Sequence, residues 1–327
     1  MARVQRGDVS SLILPDEVSE TILRGAAEAS LIQRYGRTRQ MRSNTVKLTE
    51  AEVTGANVFW VGEGARKSTD APAMASATWS MSAAELAVIV PLDENVQDDA
   101  NLDLFELYKP AIETAIANKL DAAALFGTDA PTEWGASPSI YEGATTVGSV
   151  FEEDADPTDA ELLALIAGTG ASTPDGALQA VEDDGYEPSA FLAYVRFRSR
   201  LRGLKDADNR YIFGGPTAAG VPGEMFGLPV AFTKSDIWVP ASAHLIVGDW
   251  GQAVVGTRQG IRYKIFDQGV ITDGAGNVVY SLMEQDMIAL RVTARYAFKV
   301  IADDTADGQT LAAGEDYPFA AVAPLIP

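Results

Sequence analysis

Residues 286–301, "DMIALRVTARYAFKVI", decide the fold. Ile288, Leu290, Val292, Ala294, Tyr296, Phe298 and Val300 alternate with Met287, Ala289, Arg291, Thr293, Arg295, Ala297 and Lys299. Period two is the side-chain repeat of a β-strand with one buried face. A typical strand runs about 5–6 residues, and this alternation predicts one more than twice as long. Its second face carries Arg291, Arg295 and Lys299, in a chain whose formal net charge is −21.

The 327 residues suffice for two or three compact lobes or one elongated subunit. Apolar residues make up 47% and charged residues 22%, which predicts a folded, soluble chain. There is no cysteine, so disulfides and thiolate chemistry are excluded. The opening "MARVQRGDVSS" has cations but no apolar run behind it, so no signal peptide is expected. No stretch reaches the ~18 apolar residues of a membrane span, and synthesis in the cytoplasm is expected. Charge is unevenly spread. Residues 1–42 hold seven arginines and five acids, for +2, and residues 43–327 carry −23. After Lys299 there are only acids: Asp303, Asp304, Asp307, Glu315 and Asp316. An acidic body argues against a nucleic-acid reader, which shows a basic patch. It suits a surface that lies near DNA without sticking to it.

Near the start, "LPDEVSETILRGAAEAS" predicts a helix, with Pro15 in the first turn and Asp16 and Glu17 at the positive end of its dipole. Arg34, Arg37, Arg39 and Arg42 follow, on a solvated loop or on an arm that docks against an acidic neighbour. Residues 56–96 read as strand, polar loop, strand: a long two-stranded projection, which is marginal in water without a partner surface. "NLDLFELYKPAIETAIANKLDAAALFG" is the strongest helix, striped by Phe105, Tyr108, Ile112, Ile116, Leu120 and Ala123 and about 35 Å long. Lys109 and Glu113 have pairing distance at i,i+4, Gly127 suits the stop, and Pro110 predicts a kink or a fresh start. Residues 128–158 read as a loop or irregular insertion. "DPTDAELLALIAGTG" and "EPSAFLAYVRFRSRLRGL" read as helices capped by Asp156 or Thr158 and by Ser189. A strand is expected at Leu228–Thr233, with two or three more after His244 and a turn at "DGAGN". The tail from 302 reads as an extended strap.

No catalytic constellation emerges. "GEGARKST" follows an apolar strand, but Arg66 stands where a phosphate-binding loop needs glycine before Lys67, and Asp70-Ala71-Pro72 blocks the following helix. The lone His244 cannot build a zinc site without several carboxylates. "DDTADGQTLAAGED" lacks the spacing of a calcium loop. Acid pairs such as Glu152-Glu153 read as solvated loop charge. No G-x-S-x-G is present. No cofactor, metal or catalytic residue is assigned, which favours a structural protein.

The order of parts then matters more than any motif. "ILPDEVSETILRGAAEASLIQRYGRTRQM", "LAVIVPLDENVQDD", "FGLPVAFTKSDI", "GDWGQAVVGTRQGI" and "DMIALRVTARYAFKV" follow one another as arm, projecting loop, long helix, α/β lobe and returning ribbon. This α+β order resembles the major capsid proteins of tailed bacteriophages, the Hong Kong 97-type capsid fold. The resemblance implies an N-arm over 1–45 and an E-loop with flanking strands over 46–93. It implies a peripheral (P) domain spine helix over 94–127, an axial (A) domain over 128–255, a P-domain sheet over 256–302 and a C-terminal tail over 303–327.

The resemblance also implies a function: an icosahedral shell in the virion, enclosing double-stranded DNA without sequence-specific binding and without a membrane. Its expected partners are copies of itself in pentamers and hexamers, a portal protein and a decoration protein. The arm begins almost at Met1, which implies a separate scaffolding protein. Expected inter-subunit contacts are Arg34, Arg37, Arg39 and Arg42 of the arm, Glu63, Arg66 and Lys67 of the loop, and Arg291, Arg295 and Lys299 of the ribbon. Some relatives join a lysine of this loop to an asparagine of a neighbour, and Lys67 and Asn277 have those types. Most relatives do not cross-link, so no catalytic role follows. The alternatives are an encapsulin-type nanocompartment shell and, in another class, a carboxylate-dependent hydrolase.

Overall fold

The computed structural model describes residues 30–53, 63–64, 74–99, 104–135, 139–154, 157–205, 210–213, 223–233, 237–302 and 311–324. A short helix α1 (Leu31–Tyr35) leads into β1 (Arg37–Gln40), β2 (Thr45–Val53), β3 (Met74–Ser82) and β4 (Ala84–Asp93). Next come α2 (Glu94–Asp99), α3 (Leu104–Phe126), α4 (Ile140–Val147), β5 (Val150–Glu152), α5 (Asp159–Ala167), α6 (Ala177–Asp183), β6 (Ala190–Tyr194) and α7 (Arg198–Gly203). The chain continues through β7 (Gly223–Met225), β8 (Leu228–Thr233), β9 (Leu245–Gly248), β10 (Ala253–Phe266), β11 (Val270–Thr272), β12 (Val278–Ser281), β13 (Met287–Val300) and β14 (Phe319–Ala323). The helix expected over residues 14–30 lies outside the described residues apart from Ser30, which caps α1.

β13 is the long ribbon, 14 residues, as its alternation predicts. It lies inside a four-stranded sheet of order β1-β10-β13-β4, antiparallel to both neighbours. Leu290, Val292, Ala294, Phe298 and Val300 are buried in the main core, which they share with the α3 stripe. The second face is less polar than its cations suggest. Ala297 is fully buried at one end, in a cluster with Met41, Leu48, Trp79, Met81, Ala83 and Val254. Met287 and Ala289 are buried with Leu282 at the other end. Small and apolar side chains at the two ends of this face allow other parts of the chain to settle there, leaving cations between.

β2 and β3 pair as a separate two-stranded ribbon, in register from Thr45↔Ser82 to Val53↔Met74. Leu48, Trp79 and Met81 seat its base on the four-stranded sheet. Gly256 of β10 makes the seat possible: a Cβ there would lie 2.5 Å from Met41 Sδ and 2.6 Å from Met81 Cε. Of the loop beyond this ribbon, only Glu63 and Gly64 are described, as an exposed turn.

α3 runs 23 residues as one element through Pro110, whose carbonyl accepts from Thr114 Oγ1 at 2.9 Å. Gly127 ends it in the left-handed region, φ +70°. The pairing expected between Lys109 and Glu113 is replaced. Lys109 meets Glu106, because Glu113 accepts the Tyr263 hydroxyl of β10 at 2.5 Å and so ties helix to sheet.

The second sheet has six strands, ordered β5-β14-β9-β6-β8-β7. Three expectations change here. "AFLAY", expected to open a helix, is β6, buried along its whole length between β9 and β8. A five-residue apolar run fits helix or strand by pattern alone, and the buried sheet centre selects strand. Ser189 caps no helix; its Oγ accepts from Trp250 N at 3.1 Å. The extended tail packs as strand β14, also wholly buried, between β5 and β9. The segment 128–158, expected to be irregular, contains α4, whose N-cap Ser139 accepts from Glu142 N. α5 starts at Thr158 as expected, with a capping box to Glu161.

Candidate functional site: the contact surfaces of the subunit

Three surfaces hold the residues expected to meet neighbours. The first is the arm. Asp121 of α3 is buried, and accepts from Ser30 Oγ, from Leu31 N at 2.8 Å and from Ile32 N at 3.2 Å. These bonds clasp the start of α1 to the long helix. Burial pushes the Asp121 carboxyl up to about 6, against the lowering pull of its three hydrogen bonds. From this anchor the chain enters β1, the edge strand of the four-stranded sheet, parallel to β10. Arg34, Arg37, Arg39 and Arg42 are all exposed. Arg34 lies 5.5 Å from the Tyr35 ring centre.

Arg37 and Arg39 also line a cleft of about 270 Å³ with Leu48, Thr49, Trp79, Val254 and Ile301. Its walls come from the edge strand, the base of the projecting ribbon and the end of the long strands. Leu48, Trp79 and Val254 are buried beneath it, so the surface the cleft presents is mainly polar and its rim is cationic, which suits an acidic segment.

The second surface is the projecting loop. Glu63 is exposed, while Arg66 and Lys67 lie outside the described residues. The third is the cationic row of β13, which divides. Arg291 is exposed, with its guanidinium 4.7 Å from the Phe266 ring centre. Arg295 Nη2 donates to Asn44 Oδ1 at 2.6 Å, within its own subunit. Lys299 is half-buried opposite Val254.

One charged group that sequence reasoning passed over is internal. Glu153 is buried, not solvated, and pairs with Arg200 Nη1 at 2.7 Å. His244 Nε2 lies 3.1 Å from its other oxygen, and the imidazole stacks on Phe197 at 5.2 Å. Burial pushes the His244 pKa down, Glu153 pulls it back less strongly, and Arg200 adds to the lowering. This cluster locks α7 to the strand ends of the six-stranded sheet. No spacing signal in the sequence joins Glu153 to Arg200, because the fold brings them together. Among the described residues, no group of three or more His, Asp or Glu is placed to hold a metal ion.

A girder of four strands backed by a long helix, a separate α/β lobe and a projecting two-stranded ribbon define a Hong Kong 97-type shell protein. A solved chain of Microbacterium phage Oxtober96 is similar over 99% of this chain and 100% of its own, with TM-score 0.71 and 26% identity. The major capsid protein of Staphylococcus phage 80alpha is 29% identical over 297 residues, 90% of this chain and 83% of that protein. The probable major capsid protein gp17 of Mycobacterium phage D29 is 25% identical over 295 residues, 87% of this chain and 86% of that protein. Residues 11–306 match the phage capsid family, and the chain belongs to that family. It is a major capsid protein of the tailed double-stranded DNA phages, structural and not enzymatic, and its place is the virion capsid. As a capsid protein it oligomerises into a shell. The hydrolase and nanocompartment alternatives fall with this assignment.

Proposed function

We propose that the subunit builds an icosahedral shell of pentamers and hexamers around DNA, with residues 128–255 turned to the rings and the girder of 256–302 linking them. The observation that carries this is the ribbon of β2 and β3. Nine register pairs extend from a base seated through Leu48, Trp79 and Met81. A two-stranded ribbon is marginal in water alone, so its outer part gains order from a neighbouring subunit. A chain repeated in closed symmetry supplies that neighbour at every position.

A scaffolding protein and a portal protein are the further partners this reading implies. The net −23 beyond residue 42 keeps the shell from binding the enclosed DNA tightly. Arg34, Arg37, Arg39, Arg42, Glu63, Arg66, Lys67, Arg291, Arg295 and Lys299 serve the contacts between copies. Expression with the scaffolding protein of the same phage, followed by negative-stain microscopy, tests the proposal. Closed shells with five-fold and six-fold rings are expected; open sheets or lone monomers would refute it.

A further inference from the structure

The segment that rims the cleft and the hairpin of β11 and β12 carry opposite charge and lie at opposite ends of the girder. At one end lies the cleft floored by Leu48, Trp79, Val254 and Ile301, with Arg37 and Arg39 on its rim. Residues 30–45, of which Arg37 and Arg39 line the cleft, contain Arg34, Arg37, Arg39 and Arg42 and no acid. At the other end is the hairpin of β11 and β12. Residues 267–286 contain Asp267, Asp273, Glu284 and Asp286 and no base. Only Ile271 and Tyr280 of this hairpin turn inward, against the Leu282 cluster. Val270 and Val278 are each 60% exposed and Met283 is 77% exposed, with Val279 and Ile265 also outward. Two-stranded hairpins are marginal in water, and an apolar surface at a hairpin end marks an interaction site.

We propose that the acidic, valine-bearing hairpin of one copy docks in the arginine-rimmed cleft of another copy. The two cannot meet within one subunit. β10 and β13 are 14 residues each, which sets the ends roughly 45 Å apart at the usual strand rise. The contact is therefore head-to-tail, the kind of interface that propagates between copies. A second copy is the occupant because both halves are present on every subunit, with opposite charge. The length of the ribbon gains a purpose: it spaces a hook from a socket.

This inference rests on the shell reading, and the test separates the two. The chain has no cysteine, so introduced pairs report without background. Thr49→Cys or Arg39→Cys is combined with Val270→Cys, Val278→Cys or Val279→Cys. Shells are assembled, checked by microscopy, oxidised and run on a non-reducing gel. A disulfide needs Cα atoms within about 7 Å, so no link forms inside a subunit. Ladders longer than a dimer are expected from at least one pair, and not from the single variants. Intact shells in which no pair links copies would overturn the proposal, whereas failure of the unsubstituted chain to form shells would overturn the shell reading.

A second arm uses charge. Arg37→Glu with Arg39→Glu, and separately Asp267→Lys with Glu284→Lys, should each cut shell yield at least about ten-fold, with subunit melting unchanged. All four changes together should restore yield to within about three-fold of the parent. Normal yield from either half alone, or no rescue by the combination, would overturn the proposal. So would loss of a bound scaffolding protein from the hairpin variants without any link between copies, since the hairpin would then serve that protein.

Discussion

The indole Nε1 of Trp79 donates a 3.0 Å hydrogen bond to the carbonyl oxygen of Ala302. The bond crosses from the base of the projecting ribbon to the residue just beyond the long strand's end. It ties the projecting ribbon to the end of the four-stranded sheet. Trp79 also belongs to the apolar cluster over Ala297.

Trp79→Phe keeps a ring in that cluster but leaves the Ala302 carbonyl without this donor. Loss of one intramolecular hydrogen bond costs about 0.5–1.5 kcal/mol. The isolated subunit should lose that much stability in a urea titration. An unchanged midpoint would mean the bond does not anchor the ribbon.

Gly256→Val places side-chain atoms where Met41 and Met81 already sit. Overpacking of this kind costs about 1–3 kcal/mol, and here it also lifts the ribbon's base. Hydrogen exchange should show faster exchange at β2 and β3, with the six-stranded sheet unaffected. Uniform loss of protection across both sheets would contradict a local seat.

The arginines of the opening stretch should separate by function. Arg295 donates to Asn44, so Arg295→Ala should cost about 1–2 kcal/mol in subunit stability. Arg291 is exposed over Phe266, and Arg291→Ala should cost less than about 1 kcal/mol. Thermal melts of the two variants decide it, and equal losses would show that the row acts as one unit.

Asp121 gives a pH dependence. Its folded pKa of about 6 lies above the ordinary 3.8. The folded state therefore holds the proton more tightly, so this contribution is full below about pH 3.8 and is lost as pH rises through about 6. Asp121→Asn cannot titrate. Between pH 4 and 7 the parent should fall relative to this variant by on the order of 3 kcal/mol. A gap that stays constant across that window would show that the carboxyl is already ionised at pH 4.

The girder was legible because its pattern is long. Fourteen alternating residues in β13 and the stripe from Phe105 to Ala123 leave little choice of structure. β8 was equally plain, an apolar run between Gly/Pro turns. The six-stranded sheet was harder, because its central strands are short and buried on both faces, so β6 and β14 carry no alternation to read. The ion pair of Glu153 with Arg200 and the clasp of Asp121 on the arm join residues far apart in sequence, where spacing says nothing. The cleft was invisible for the same reason. Arg37 and Arg39 are conspicuous as charges, but their floor comes from four separate segments.

The central claim is that this subunit is made to close into a shell through contacts it cannot satisfy alone. Cryo-electron microscopy of particles assembled from this chain and its scaffolding protein tests that most directly. Closed icosahedral shells are predicted, with each β2–β3 ribbon lying on an adjacent copy and each β11–β12 hairpin seated against the Arg37 and Arg39 rim of another. Shells in which every ribbon folds back on its own subunit, or a preparation that stays monomeric, would contradict it.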